Sequence, residues 1–285
     1  MNFHEPAVLG RTGLKVGRLG IASGYGAPTA AIEEAFERGC NYFTWGTVIK
    51  GYSAHMRQAL KNIAAKGQRD RLVLATFTYA HNNFLTERLV VRGLKSAGLD
   101  HADVLILGYF SRRPSRRLID GALWMKEKGL IRFIGLSSHN RKLLGELAKT
   151  GEFDVMHLRY NAAHRGAETE IFPFLEGEQR PGIVSFTATR WGKLLDPKKM
   201  PPGEKPPTAA DCYRFVLSHP AVDVCISGAK TAEQMRTNLA GLDAGPMSDA
   251  ELARMRRIGD HVHGPKRRWR DVAHRLTHRL TSARP

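Results

Sequence analysis

The chain contains few cysteines, and their positions argue against both a disulfide framework and a zinc site. Cys40, Cys212 and Cys225 are odd in number and far apart, and none has Cys-x-x-Cys or histidine-partnered spacing. The histidines show no spacing such as His-Glu-x-x-His that would hold a metal. We therefore expect reduced thiols in a cytoplasmic protein and no bound metal.

Long apolar runs are also absent. No stretch approaches the roughly 20 apolar residues that a membrane-spanning helix needs, and the first ten residues hold no apolar segment typical of a signal peptide. We expect neither export nor insertion into a membrane.

Acidic residues are scarce relative to basic ones. The 285 residues include 27 Asp and Glu against 44 Lys and Arg, which gives a formal net charge of +17. Such an excess of positive charge favours contact with anionic ligands, polyanions or acidic membranes, although it does not bear on the fold. With 42% hydrophobic residues, the chain is long enough to bury one large core.

Short apolar strands alternate with helical patterns along most of the chain. Residues 8–18 first give a hairpin signal, two apolar runs around a central Arg-Thr-Gly. The strands that follow are predicted at Leu19–Ala22, Asn41–Trp45, Leu72–Phe77, Asp103–Leu107, Arg132–Leu136, Asp154–Arg159, Ile183–Phe186 and Val222–Ile226. The helices are predicted at Thr29–Arg38, Ser53–Ala65, Leu85–Ala97, Ser115–Lys128, Arg141–Lys149, Glu168–Glu176, Ala209–Ser218 and Thr231–Ala240. Eight such units in one domain predict an α/β fold, a (β/α)₈ TIM barrel.

Two further segments lie outside the eight units. Residues 248–258 open with a capping pattern and predict an extra helix within a barrel domain of residues 1–262. Residues 263–285 form a basic tail with an apolar stripe at helical spacing. The tail is interpreted either as a helix packed across one end of the barrel or as a surface for nucleic acid or anionic lipid, and no nucleic-acid-binding motif supports the second interpretation.

Several separated motifs resemble the aldo-keto reductase family. Residues 39–60 match its G-x-N-x-F segment and the helix that ends in G-x-A-L, in one register from both ends. The other matching segments are residues 9–13 with Val16, residues 128–137, Tyr160 with Asn161, and Gly228 with Glu233, Gln234 and Asn238. The resemblance implies a barrel whose bottom is closed by the hairpin, and an NADP(H)-dependent oxidoreductase.

The resemblance, in this register and at the ends of the third and fourth strands, also implies that the family's catalytic tetrad is replaced. The Asp, Tyr, Lys and His positions of that tetrad fall on Thr44, Ile49, Phe77 and Gly108. A phenol with an ordinary pKa of about 10 needs a nearby cation to exchange protons near neutrality. Tyr52 is a candidate catalytic residue three positions beyond Ile49, but it would lack the lysine.

The cofactor positions of the family are better kept. By the resemblance, residues at seven positions are candidates for binding NADP(H): Ser137, Ser138, His157, Phe186, Thr187, Lys230 and Asn238. Phe186 stands where a tyrosine stacks on nicotinamide, and Lys230 stands where a 2′-phosphate is held. Both retention and loss of cofactor binding are compatible with these residues.

New polar groups cluster where the tetrad is missing. Residues 159–168 contain two arginines, an imidazole and a carboxylate, and His164 and Arg159 are candidate catalytic residues on that basis. The cluster predicts a small anionic ligand. Two functions stay open: a divergent NADP(H)-binding oxidoreductase, and a non-redox barrel that acts as a lyase, an isomerase or a catalytically silent regulatory protein.

Overall fold

The computed structural model describes residues 2–46, 54–175, 177 and 179–264, and it shows a closed parallel barrel preceded by a hairpin. Strands β1 and β2, Ala7–Val8 and Lys15–Val16, pair antiparallel. The barrel strands are β3 (Leu19–Ala22), β4 (Tyr42–Gly46), β5 (Val73–Thr78), β6 (Ala102–Leu107), β7 (Ile131–Ser138), β8 (Val155–Arg159), β9 (Gly182–Phe186) and β10 (Val224–Ser227). They pair in chain order, and β10 closes the barrel on β3. The predicted (β/α)₈ architecture is therefore confirmed.

Helices cover the outside of the barrel. They are α1 (Thr29–Glu37), α2 (Ala54–Ala65), α3 (Asn83–Ala97), α4 (Arg116–Glu127), α5 (Arg141–Ala148), α6 (Ala167–Glu170), α7 (Ala209–Leu217), α8 (Ala232–Asp243) and α9 (Asp249–His263). Within the described ranges, no helix is both long enough and apolar enough to cross a lipid bilayer.

Two predicted helices differ from the structure. The helix predicted over residues 168–176 is four residues long in α6 and gives way to a 3₁₀ turn, Phe172–Phe174. Pro173 explains the change, because proline lacks an N–H and its ring collides with the carbonyl four residues earlier. The extra helix α9 runs past the predicted end to His263 and stops at Gly264, which has a φ of 78°. The basic tail from residue 265 onward lies outside the described residues, as do Ile49 and Tyr52.

The hairpin closes the N-terminal end of the barrel. Leu9, Leu14 and Val16 are buried against the inward side chains of the strands. Gly10, with a φ of 46°, approaches so closely that a Cβ there would lie 2.3 Å from the backbone nitrogen of Gly182. The hairpin therefore fills this end of the barrel.

Three aspartates tie the lower ends of the strands together. Asp103, Asp154 and Asp223 each accept a hydrogen bond from the backbone N–H of a neighbouring strand, at 2.8–3.0 Å. Each carboxylate also pairs with arginine, and the partners are Arg69 and Arg132, Arg11, and Arg180 in that order. Breaking a buried pair of this kind typically costs about 3–5 kcal/mol, so these ion pairs hold the strands in register.

Candidate functional site

A cavity of about 330 Å³ opens at the carboxyl ends of the barrel strands. Inward-facing residues of several strands line this cavity, because side chains on a strand alternate between the two faces of the sheet. On β8, Val155 packs low in the barrel, His157 lines the cavity two residues later, and Arg159 follows on the same face. On β9 the corresponding inward residues are Val184 and Phe186.

The floor of the cavity is a buried pair of polar rings. The Tyr42 hydroxyl and the His157 Nε2 share a hydrogen bond of 2.8 Å, and both residues are at most 1% exposed. Phe77 packs edge-on against the imidazole, with ring centroids 5.1 Å apart. Burial lowers the pKa of His157 to about 3 and raises the pKa of Tyr42 well above its usual value. The pair is therefore neutral at physiological pH.

A continuous row of aromatic rings forms one wall. Phe77 stacks on Tyr79, Tyr79 on Tyr109, and Tyr109 on His139, with centroid distances of 6.1, 5.3 and 5.5 Å. His139 then meets Phe186 edge-on at 5.4 Å. Such a wall presents flat apolar faces to a ligand, which suits a planar ring.

Three of the four positions that the sequence resemblance assigns to the tetrad, Thr44, Phe77 and Gly108, lie among the described residues at the cavity. Thr44 and Phe77 lie in β4 and β5 and line the cavity. Gly108 leaves room for Tyr79, since a Cβ at position 108 would lie 2.6 Å from that ring. Burial first, then Tyr109 and Tyr25, raise the pKa of Tyr79 to about 12. In the described ranges, no lysine lines the cavity beside Tyr79.

Four of the seven cofactor candidates lie together in the cavity wall. Ser137, His157, Phe186 and Thr187 all line it. Thr187 has a φ of 65°, and its carbonyl accepts a 2.8 Å hydrogen bond from the Asn161 amide. A β-branched residue rarely adopts this conformation, so the structure fixes the loop after β9 at some energetic cost.

The other three candidates lie away from the cavity. Ser138 donates to the Phe110 carbonyl at 2.5 Å, and Asn238 donates to Ser227 Oγ at 2.9 Å, so both side chains join elements of the fold. Lys230 is exposed at the start of the loop before α8. Their roles as cofactor ligands stay predictions.

The predicted cationic cluster is present beside the cavity. The His164 Nδ1 lies 3.2 Å from the Asn161 carboxamide oxygen, and its ring meets His263 edge-on at 5.1 Å. Burial, followed by the charges of Arg159 and Arg190, lowers the pKa of His164 to about 4. The imidazole is therefore neutral near pH 7, which weakens its case as a proton donor there. Its catalytic role, like that of Arg159, stays a prediction.

Arg159 is a half-buried cation at the end of β8. Its backbone pairs with Phe186 on β9. Its Nε is buried and has no hydrogen-bond partner among the described residues. Burial lowers the pKa of its guanidinium, and Arg141 and Arg190 lower it further.

Sequence reasoning missed Tyr42 as part of the site. This tyrosine lies in an apolar run, Tyr42 to Trp45, which predicted only a strand. Its spacing of two from Thr44 was the available signal, because residues at i and i+2 share one face of a strand. The partner His157 is 115 residues away, and only closure of the barrel brings the two rings together.

Comparison with solved structures agrees with the architecture. The chain is similar to the aldo-keto reductase AKR11C1 from Bacillus halodurans in its holo form, with a TM-score of 0.72, 19% identity, and coverage of 89% of this chain and 96% of that one. Its apo form matches with a TM-score of 0.71 and 20% identity, over 89% and 95% of the two chains. These likenesses show that the fold is that of an aldo-keto reductase, as the sequence resemblance predicted. No family model and no curated protein matches the sequence.

Proposed function

We propose that this chain is a divergent aldo-keto-reductase-family protein that binds NADP(H) in the barrel mouth, an oxidoreductase whose usual acid-base tetrad is replaced. The observation that carries the proposal is the grouping of Ser137, His157, Phe186 and Thr187 around one cavity. These side chains converge from three different strands and one loop, and in the family the corresponding positions touch the cofactor.

The residues present suit the cofactor in chemical character. The Phe186 ring offers a flat face for nicotinamide, while the Ser137 hydroxyl and the His157 imidazole offer hydrogen bonds to its carboxamide. The Thr187 hydroxyl suits a phosphate oxygen, and the exposed Lys230 suits a 2′-phosphate. When bound, NADP(H) would supply or accept a hydride.

Two described residues of the cavity, Tyr79 and His157, are poorly suited to deliver a proton. Tyr79 has a raised pKa, and His157 stays neutral in its hydrogen bond with Tyr42. Neither side chain gives up a proton readily near pH 7. We therefore expect NADP(H) binding with slow reduction of simple aldehydes, the behaviour of an enzyme with altered chemistry or of a pseudoenzyme.

A fluorescence titration with NADPH tests the proposal. The wild-type chain should bind in the micromolar range, and Phe186→Ala should weaken binding about two- to tenfold, because a ring contact contributes about 0.5–1.5 kcal/mol beyond the area it buries. Trp124→Ala on the outer helix α4 is the control and should bind as the wild type does. Absence of binding at high micromolar NADPH would remove the cofactor from the proposal.

A non-redox barrel is the second candidate, and the cationic cluster favours it. Arg159 carries a charge with no hydrogen-bonded partner in the described part of the chain, which suits an anionic small molecule. Such a protein would be a lyase, an isomerase or a catalytically silent regulator. Lack of any NADPH-dependent turnover, together with tight binding of an anion, would favour this candidate over the first.

A further inference from the structure

The guanidinium of Arg159 is a poorly compensated charge beside the cavity. Its Nε is buried without a hydrogen-bond partner, and no ion pair joins Arg159 to a described carboxylate. The neighbouring arginines are engaged: Arg141 pairs with Glu170 at 2.8 Å, and Arg165 pairs with Asp260 at 2.7 Å. A half-buried cation without a counter-charge is costly, so an anion from outside the described fold would stabilise it.

Other cations surround Arg159 and strengthen the local positive potential. Arg190 reaches the Val262 carbonyl, and its charge acts on Arg159 together with that of Arg141. His139 lies close enough for the Arg159 charge to lower the pKa of its imidazole, after the larger effect of burial. His139 and Phe186 line the cavity, and Arg159 pairs with Phe186 across β8 and β9, so Arg159 lies beside the ligand space without itself being one of the lining residues.

The row of aromatic rings that forms the cavity wall ends beside Arg159. The Phe186 backbone is paired with Arg159 across β8 and β9, and the Phe186 ring meets His139, which stacks on Tyr109. Tyr109 is 50% exposed and has a φ of 55°, a conformation that bulky residues seldom adopt. The fold therefore holds an exposed flat ring at the mouth, and it does so at the cost of backbone strain.

We propose that Arg159 binds the carboxylate of a planar aromatic acid whose ring packs against Tyr109, His139 and Phe186. The guanidinium presents two N–H groups in a fork that matches the two carboxylate oxygens. The proposal rests on the proposed function, in that it takes this cavity as the ligand site, and it adds the class of substrate. No bond is made or broken in this binding step.

Calorimetric titration with benzoate and with benzamide tests it. The two molecules have nearly the same shape, and only benzoate carries a charge. On the full wild-type chain at fixed ionic strength, benzoate should bind about 10- to 100-fold more tightly, because hydrogen bonds to charged groups contribute about 1.5–3 kcal/mol. Arg159→Gln should abolish this preference and leave benzamide binding unchanged. Arg159→Lys should restore part of it, since the charge returns without the fork.

Further variants separate this proposal from a folding defect and from the cofactor claim. Arg116→Ala removes an arginine that is 79% exposed on α4, and it should keep the wild-type preference. Tyr109→Leu should weaken the binding of benzoate and of benzamide equally.

Equal affinity of the wild type for both probes, or a preference for benzoate that survives Arg159→Gln, would overturn the proposal. A loss of NADPH affinity in Arg159→Gln with benzoate binding intact would also overturn it, because the guanidinium would then serve a cofactor phosphate. A chain that binds benzoate as expected and NADPH not at all would keep this inference and refute the proposed function.

Discussion

Acidification should destabilise this protein by protonating His157 at the floor of the cavity. The imidazole is 1% exposed, and it is neutral in the folded chain because burial lowers its pKa from 6.5 to about 3. The unfolded chain therefore binds a proton at a higher pH than the folded chain does. Stability from this residue is fully present above pH 6.5 and is lost as the pH falls toward 3.

The size of the effect follows from that shift in pKa. One pKa unit corresponds to about 1.4 kcal/mol, so between pH 7 and pH 5 the free energy of unfolding should fall by about 2 kcal/mol on account of His157 alone. His139, His164 and His219 also have lowered pKa values, and they add to the total in the same direction. A comparison of variants is therefore needed to isolate His157.

Urea unfolding followed by circular dichroism at pH 7, 6 and 5 measures the effect. His157→Gln removes the titrating group and keeps a side chain that can hydrogen-bond to the Tyr42 hydroxyl. Between pH 7 and pH 5, the free energy of unfolding of this variant should therefore fall by about 2 kcal/mol less than that of the wild type. His4→Gln is the matched control, because it removes an imidazole that is 55% exposed near the N-terminus. It should follow the wild-type pH dependence. Equal pH dependence of wild type and His157→Gln would refute the reasoning, since a buried neutral imidazole at the cavity floor requires a difference.

Two further predictions concern the packing of the site and the register of the strands. Gly108→Ala places a Cβ 2.6 Å from the Tyr79 ring and 2.9 Å from a backbone carbonyl, so urea unfolding should show a loss of about 1–3 kcal/mol. The loss should be smaller in a Tyr79→Ala background, and a double-mutant cycle that shows no coupling would contradict the contact. Asp223→Ala leaves Arg180 without its buried partner and should cost about 3–5 kcal/mol in the same assay, whereas the exposed Asp120→Ala should stay within about 0.5 kcal/mol of the wild type. Equal losses for the two aspartates would show that the buried pair does not hold the strands.

Local patterns were sufficient to predict the order of the elements. Strand β5 was predicted one residue early at each end, and β9 was predicted within one residue. These strands are apolar runs of a few residues between helices with an apolar stripe, and both signals depend only on near neighbours in sequence. The prediction over residues 168–176 was wrong because Pro173 interrupts the helix after one turn, a local signal that the helical spacing outweighed.

The candidate site was predicted in part. The converging inward positions Phe77, Ser137, His157 and Phe186 were all named from sequence, and all four line the cavity. Ser138 and Asn238 were named with them, but their hydrogen bonds go to Phe110 and Ser227. Sequence position places a residue at a strand end, whereas the choice of hydrogen-bond partner depends on the packing of a neighbouring strand or helix.

The sequence by itself determined the alternation of strands and helices, the excess of positive charge, and the residue types at the strand ends. Each of these is a property of short segments or of composition. Only the tertiary structure decided that Tyr42 meets His157 in a buried floor, that Tyr79 fills the space above Gly108, and that Arg159 Nε has no hydrogen-bond partner among the described residues. These outcomes depend on contacts between strands far apart in the chain. Closure of the barrel fixes both the distances between their side chains and the loss of water that shifts their pKa values.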